Sequence, residues 1–412
     1  MNIGIFTDSY HPDVSGVVTS IDMLADELKK LGHNVYIFTI ANPLAGKKRP
    51  GVFRLPSMPF IFYKSRRLAL FYSPRASRCV KHMNLDIIHT QTEFSLGIFG
   101  TIMSRQLGIP LVHTYHTLYK DYVHYISKNK FKKVSNDIVR IYSRSYCNSC
   151  DAVITPSKKV YDLLDEYGVN KDIRIIPTGI DIYRFRREKV STEEILRLKE
   201  SYGIDKSAPV IVFIGRLDKE KSIDMILNQM PNILKTLPDT KFLIVGDGQA
   251  TQELKELTSS LKIESSVIFA GIQPWNKISM FYMLGDVFVS CSITETQGLT
   301  LIEAMAAGVP IIARYDRNIE GLVQDKINGR IFNNENNLTD VIVAVLSDKE
   351  ASSLYAKNAM DTVQNFSSQI FGKNVEALYK ELLMQNTKKR LRKSFKKFSF
   401  KLKKMSYRQE TH

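Results

Sequence analysis

A chain of 412 residues is too long for one ordinary hydrophobic core and suits two domains of about 150–200 residues each. Its 44% apolar content, 21 Gly and 14 Pro exclude collagen, coiled coil and general disorder, and four cysteines are too few for a disulfide framework, which fits a reducing cytoplasm. The 58 Lys and Arg against 42 Asp and Glu leave a net charge of +16, and with no run of 18 apolar residues to cross a bilayer, an intracellular globular protein with some polyanionic partner is expected.

The start, Met1-Asn-Ile-Gly-Ile-Phe-Thr-Asp8, has an acid and no basic leader, so it is not read as a signal peptide. Residues 3–7 predict a buried strand. Gly16 follows a polar loop, and Val17, Val18, Ile21, Leu24, Leu28 and Leu31 keep helical spacing until Gly32. Residues 34–40 predict the next strand. Strand, glycine turn, helix and strand within forty residues make a βαβ unit and predict a parallel sheet. Further strands are expected at 86–89, 110–113 and 152–155. After a polar helix at 191–202 the pattern restarts, with strands expected at 210–215, 241–246, 267–270, 286–290 and 310–313 and a helix from about Ser222.

Two successive α/β units without repetition predict two doubly wound domains facing a central cleft: 1–185 and 208–380, with the boundary near 185–207. Ligands of such sheets bind beyond the carboxyl ends of the strands, so the cleft is the expected site.

Charge is unevenly placed along this framework. Between Glu27 and Asp86 there are twelve Lys or Arg and no acid, and between Glu381 and Glu410 eleven more, again with no acid. The first stretch mixes Lys64, Arg66 and Arg67 with Phe60, Phe62, Tyr63, Phe71 and Tyr72. In the tail, 387–412, Leu391, Phe395, Phe398, Leu402 and Met405 fall at steps of 4, 3, 4 and 3, on one face of a helix whose remainder is basic. Such a helix lies in a membrane interface among anionic headgroups, each basic residue contributing at most ~1 kcal/mol. A solvated tail is the plainer reading of the same run. Nucleic acid is disfavoured, because no zinc-finger spacing or ribonucleoprotein-type aromatic motif occurs.

Neither strand-to-helix turn carries G-x-G-x-x-G, and G-x-x-x-x-G-K-[ST] is absent; Gly246-Asp-Gly248 signals only a tight turn. The informative segment is Ser292-Ile-Thr-Glu-Thr-Gln-Gly-Leu-Thr-Leu-Ile-Glu303, where Gly298 lets a helix begin at Leu299. Free N–H groups at that start can hold a diphosphate. Glu303, a turn in, can accept hydrogen bonds from a ribose diol, and Glu295 can face a second polyol. Arg216 and Lys221, in Gly215-Arg-Leu-Asp-Lys-Glu-Lys221, supply cations for the same diphosphate.

These runs resemble retaining glycosyltransferases of family 4, whose fold is two Rossmann-like domains (GT-B type). The resemblance rests on Glu-x7-Glu at 295 and 303, Gly-Arg-x4-Lys at 215–221, Val14-Ser-Gly-Val17, Thr114-Tyr-His116 and Ile176-Pro-Thr-Gly-Ile-Asp181. Ser15-Gly16 stands where many members have two glycines. The segments Ser15–Ser20, His89–Gly97, His113–Tyr125 and Thr294–Thr300 resemble most closely the branch that glucosylates 1,2-diacylglycerol, and its glycolipid-extending relatives.

The resemblance implies UDP-glucose as donor, diacylglycerol or glucosyl-diacylglycerol as acceptor, and a place on the inner face of the cell membrane. It also implies roles. Arg216 and Lys221 neutralise the diphosphate, and Glu303 binds the ribose. Glu295 holds sugar hydroxyls together with the backbone of Thr296, Gln297, Gly298 and Leu299. His116 faces the transferred sugar, and Gly16 lets the first helix approach the phosphates. No cofactor is expected, and no D-x-D triplet exists to suggest a metal. Whether Glu295 attacks as a nucleophile or the acceptor attacks on the leaving group's face stays open. A non-catalytic scaffold of this fold would have lost Arg216, Lys221 or Glu303; all are present. His113-x-x-His116 lacks a third metal ligand, Cys147-x-x-Cys150 lacks a partner pair, the Tyr119, Asp121, Tyr122, His124 and Tyr125 cluster fits core or acceptor, and residues 280–284 read as helix core.

Overall fold

The computed structural model describes residues 1–13, 15–46, 49–60, 63–69, 73–116 and 132–409. The chain forms two compact units: residues 1–156 and 160–176 together with 371–412, and residues 157–159 with 177–370.

The first unit holds strands β1 (Asn2–Phe6), β2 (Asn34–Ile40), β3 (Val52–Leu55), β4 (Ser57–Phe60), β5 (Tyr63–Ala69), β6 (Ile87–Thr90), β7 (Leu111–Thr114), β8 (Ala152–Thr155) and β9 (Asp172–Ile175). Seven of them make a parallel sheet ordered β3-β2-β1-β6-β7-β8-β9. Strand β1 sits at the reversal of order, with Ile3 opposite Val35 on one side and Ile87 on the other. Alternate residues face opposite cores. Ile3 and Ile5 meet Val18, Ile21, Leu24 and Leu28 of the Gly16–Lys30 helix, while Phe6 meets Phe38, Phe99 and Met103. Strands β4 and β5 form a separate antiparallel hairpin with Ser57 opposite Ala69, which the basic-aromatic composition of that stretch did not signal.

The second unit holds β10 (Val210–Ile214), β11 (Lys241–Val245), β12 (Val267–Gly271), β13 (Val287–Ser290), β14 (Ile311–Arg314) and β15 (Arg330–Phe332) in the parallel order β12-β11-β10-β13-β14-β15. Strand β10 lies at its reversal point, between β11 and β13. The two segments singled out for chemistry, 215–221 and 291–298, therefore leave from the carboxyl ends of adjacent strands where the order switches, the place at which such sheets bind ligands.

The division between units differs from the expected 185–207 in two ways. Ile180, Ile182 and Phe185 are buried in the second unit's core, and so is Ile195 of the polar Thr192–Ser201 helix, so the chain changes units at Pro177. That helix belongs to a domain rather than to a linker, and Ser191 with Glu194 closes its start in a capping box. The final helix, Ser368–Gln409, returns to the first unit, where Phe371, Val375, Leu378, Tyr379 and Leu382 complete the core under β1. A second domain ending at 380 is thus not what forms. The apolar i, i+4, i+7 face of 371–382 supplies the burial that the first sheet's open side requires.

Candidate active site

Strand β10 ends at Gly215, whose N–H donates to Val245 O at 3.0 Å. The neighbouring turn after β11 packs directly on it: a Cβ on Gly246 would stand 1.9 Å from Gly215 O, so only glycine fits there. This tight junction, together with Leu217 N–H on Asp247 O at 3.0 Å, fixes the path of residues 215–221. The Gly246-Asp-Gly248 signal thus has a structural meaning, the close approach of two strand-end turns.

Arg216 is half-exposed and clamped between two acids, Nη1 on Asp218 Oδ2 at 2.7 Å and Nη2 on Glu220 Oε1 at 2.9 Å. Lys221 forms an ion pair with Glu295 Oε1, and both side chains are largely covered. Burial alone would raise the Glu295 carboxyl's pKa; the Lys221 ammonium, Ser292 and Arg216 outweigh that and hold it below the ordinary range. Ser292 also joins the two segments, donating to Glu220 O at 3.3 Å. Lys221 and Glu295 thus meet, and Arg216, bound to Asp218 and Glu220, lies near enough for its charge to act on Glu295.

Gly298 precedes the Leu299–Ala306 helix with φ +78°, a left-handed conformation that disfavours any side chain. The N–H groups of Leu299 and Thr300, in its first turn, have no acceptor among the described residues. Glu303 lies one turn further on and is buried. Its Oε2 accepts a 2.6 Å hydrogen bond from Tyr282 of the Ile278–Leu284 helix. Burial pushes its carboxyl up to about 7, partly offset by that hydrogen bond and by Arg184. Among the described residues, Glu303 shares no hydrogen-bond partner with Glu295. Tyr282, read from the sequence as plain core, is indeed buried but also holds the carboxylate; a phenol among apolar neighbours was the available signal.

The 292–298 loop is pinned by partners the sequence did not single out. Gln297 is buried, its Oε1 accepting from Thr178 N–H and its Nε2 donating to Thr178 O, both at 2.8 Å. Both ends of its side chain are thereby anchored to the Thr178 backbone. Thr296 O accepts from Ser157 Oγ at 2.5 Å. Lys159 Nζ donates to Ile293 O at 2.9 Å and to Asp316 Oδ1 at 2.8 Å.

On the first unit, His116 is partly exposed at the end of β7. Its Nε2 is 2.6 Å from Gln91 Oε1, which can only accept, so Nε2 carries the proton. Burial and the neighbouring His113 hold its pKa down at about 3, so the ring is neutral. His113 is fully buried and committed to Thr90 and to Glu93 Oε1 at 3.1 Å, a core role rather than that of a metal ligand. His89 bridges Tyr379 and Thr114 at 2.6 and 2.7 Å. Gly16 is exposed and opens its helix, with Ser15 Oγ as the cap. Cys147 and Cys150 are buried free thiols whose pKa values burial raises, that of Cys150 to about 12.

Of the residues expected at a membrane, Arg67 donates to Ala41 O, Ser57 Oγ and Ser57 O at 2.9–3.1 Å, so its head group is tied to the protein. Leu391 is exposed, 54%, on a helix whose backbone continues to Gln409. The side chains of Lys64, Arg66, Phe395, Phe398 and Leu402, and the Tyr119–Tyr125 cluster, lie outside what the structure describes. Among the described residues, no helix is long and apolar enough to cross a membrane.

Residues 14–184 match the domain described as Glycosyltransferase Family 4, and residues 194–362 match Glycosyl transferases group 1. The chain belongs to glycosyltransferase family 4. Among its relatives, the alpha-monoglucosyldiacylglycerol synthase of Streptococcus pneumoniae is 38% identical over 94% of this chain and 87% of its own length. That of Acholeplasma laidlawii is 35% identical over 94% of this chain and 99% of its own. In fold the chain is similar to HepE of Anabaena, solved with UDP and glucose, with TM-score 0.75, 19% identity, and coverage of 92% of this chain and all of that one.

Proposed function

We propose that this protein transfers glucose from UDP-glucose to the 3-hydroxyl of 1,2-diacylglycerol, with retention, at the surface of a membrane. The observation that carries this reading is identity of 38% and 35%, over 94% of the chain, to two proteins named alpha-monoglucosyldiacylglycerol synthase. Its support in geometry is the gathering of Arg216, Lys221 and Glu295 beside the start of the Leu299–Ala306 helix.

Glycosyl transfer develops positive charge on the sugar and negative charge on the departing diphosphate, so fixed positive groups at the diphosphate lower the barrier. Arg216, Lys221 and the N–H groups of Leu299 and Thr300 take that part; the chain has no D-x-D pair to recruit a metal for it. Each such donor contributes ~3 kcal/mol, about a hundredfold in rate. Before the donor arrives, Asp218, Glu220 and Glu295 hold the cations in place, and Glu295 then turns to the sugar hydroxyls. Glu303 in its ionised form accepts hydrogen bonds from the ribose diol. Neutral His116, with Nε2–H directed to Gln91, keeps Nδ1 free of a proton and able to accept from a sugar hydroxyl.

The basic helical tail and the 60–82 stretch supply affinity for anionic lipid, which places the enzyme beside an acceptor that does not leave the membrane. The test is a grid of reactions in anionic mixed micelles, with labelled UDP-glucose or UDP-galactose against diacylglycerol or glucosyl-diacylglycerol. Labelled lipid from UDP-glucose and diacylglycerol is the expected result. Label appearing only with glucosyl-diacylglycerol would reassign the protein to the second glycosylation step.

A further inference from the structure

Asn318 lies in a short turn, Arg317–Ile319, after β14, and only 5% of it is exposed. Among the described residues, neither Oδ1 nor Nδ2 of its side chain has a hydrogen-bond partner. A buried amide is normally paired at both ends, so an unpaired one is a group awaiting a partner. Its direction is set by the fold: Nδ2 is 3.6 Å from the point where a Cβ on Gly298 would stand. The amide therefore abuts the start of the Leu299–Ala306 helix, where the N–H groups of Leu299 and Thr300 also lack acceptors.

The turn is held there firmly. Asp316 Oδ1 accepts from Asn318 N–H at 2.9 Å and from Lys159 Nζ at 2.8 Å, while Lys159 also binds Ile293 O at the head of the donor loop. One lysine thus ties the Asn318 turn to the loop that carries Glu295.

The chemistry of the missing partner follows from the pair of unmet groups. A phosphate oxygen accepts only, and would satisfy Nδ2 while leaving Oδ1 bare. Two adjacent hydroxyls satisfy both, one donating to Oδ1 and the other accepting from Nδ2. We propose that Asn318 binds adjacent hydroxyls of the transferred hexose and is a specificity-determining residue of the donor site. This rests on the nucleotide-sugar reading given above and extends it to a residue outside the Glu-x7-Glu and Gly-Arg-x4-Lys runs. A site built to pair with particular hydroxyls discriminates against an epimer, because the wrong epimer leaves the buried amide unpaired.

The experiment uses the full-length protein and its Asn318→Ala and Asn318→Ser variants, with calorimetric titration of UDP and of UDP-glucose and a melting curve for each. UDP has the diphosphate but no hexose. The expected result is UDP affinity within about twofold of wild type and UDP-glucose affinity lowered about tenfold, with the preference for UDP-glucose over UDP-galactose reduced in kcat/KM. Equal losses for UDP and UDP-glucose would move Asn318 to the diphosphate and overturn the proposal. Unchanged binding of both would overturn it too, leaving Asn318 a residue of the fold. The Ser variant, smaller and still polar, carries the comparison should the Ala variant not fold. Wild-type protein that binds neither ligand would sink the donor reading itself and this inference with it, whereas normal wild-type binding with silent variants sinks this inference alone.

Discussion

Tyr282 donates its hydroxyl hydrogen to Glu303 Oε2 across 2.6 Å, with both side chains buried. That bond is the main thing opposing the desolvation that lifts the Glu303 carboxyl to about 7. On the proposed role of Glu303 at the ribose, donor binding should be sensitive to pH near neutrality.

A ribose diol donates hydrogens, so donor affinity should rise as pH increases through about 7 and Glu303 ionises. Stability should move the other way. The native state holds a proton on Glu303 that the unfolded chain releases near 4.5, so stability falls as pH rises from about 4.5 to 7, by on the order of 3 kcal/mol in all. Glu303→Gln should flatten this slope, melt higher than wild type at pH 8 and bind UDP more than about tenfold more weakly. Melting curves at pH 5 and pH 8 for both proteins measure it; parallel slopes would contradict the assignment.

Tyr282→Phe removes the hydrogen bond that favours the ionised form, so the Glu303 carboxyl rises further. The midpoint in a plot of donor affinity against pH should shift upward, with affinity at pH 7 lowered roughly fivefold to tenfold. An unshifted midpoint would mean that Glu303 does not control the profile.

Lys221→Ala strips Glu295 of the ammonium that keeps its largely covered carboxylate ionised. The melting temperature should fall and kcat should drop about a hundredfold to a thousandfold. Adding Glu295→Gln should restore the melting temperature, because the uncompensated charge is gone, without restoring kcat. A double variant as unstable as the single one would show that the pair is held by something other than charge.

Gly298→Ala forces a side chain into φ +78° and sets its Cβ 3.2 Å from Leu301 Cδ1. A cost of about 1–2 kcal/mol is expected, together with weaker UDP binding as the helix start shifts. Titration of UDP and a thermal melt read both effects. Affinity equal to wild type would argue that the helix start does not touch the diphosphate.

Ending the chain after Thr387 removes the basic amphipathic stretch but keeps Phe371, Val375, Leu378, Tyr379 and Leu382, which bury against β1 and its neighbours. Binding to anionic vesicles should weaken severalfold while the melting temperature stays within a few degrees. Equal vesicle binding by the truncated protein would remove the tail from the membrane account.

The sequence carried the central strands of both sheets, because Val210–Ile214 is buried on both faces and apolar throughout, and Asn34–Ile40 is largely so from Val35 on. Edge strands were harder. Asp172–Ile175 and Arg330–Phe332 carry charges because one side meets solvent, and β4–β5 is a hairpin hidden within a basic-aromatic run. Arg216, Lys221, Glu295 and Glu303 were legible because they sit at fixed offsets from strand ends and a glycine. Tyr282, Lys159, Asp316 and Asn318 were not, since each reaches its partner only through tertiary contacts between segments distant in sequence. The return of residues 371–382 to the first unit was hidden for the same reason: an amphipathic helix shows that it needs a core, without showing which one.

The most direct measurement is the anomeric proton spectrum of the lipid formed from UDP-glucose and diacylglycerol by the full-length protein in anionic micelles. The account predicts a single α-linked glucose on the 3-hydroxyl, formed by wild type and lost in Lys221→Ala. A β-linked product would contradict retention, and the absence of any glucosylated diacylglycerol would contradict the proposed reaction.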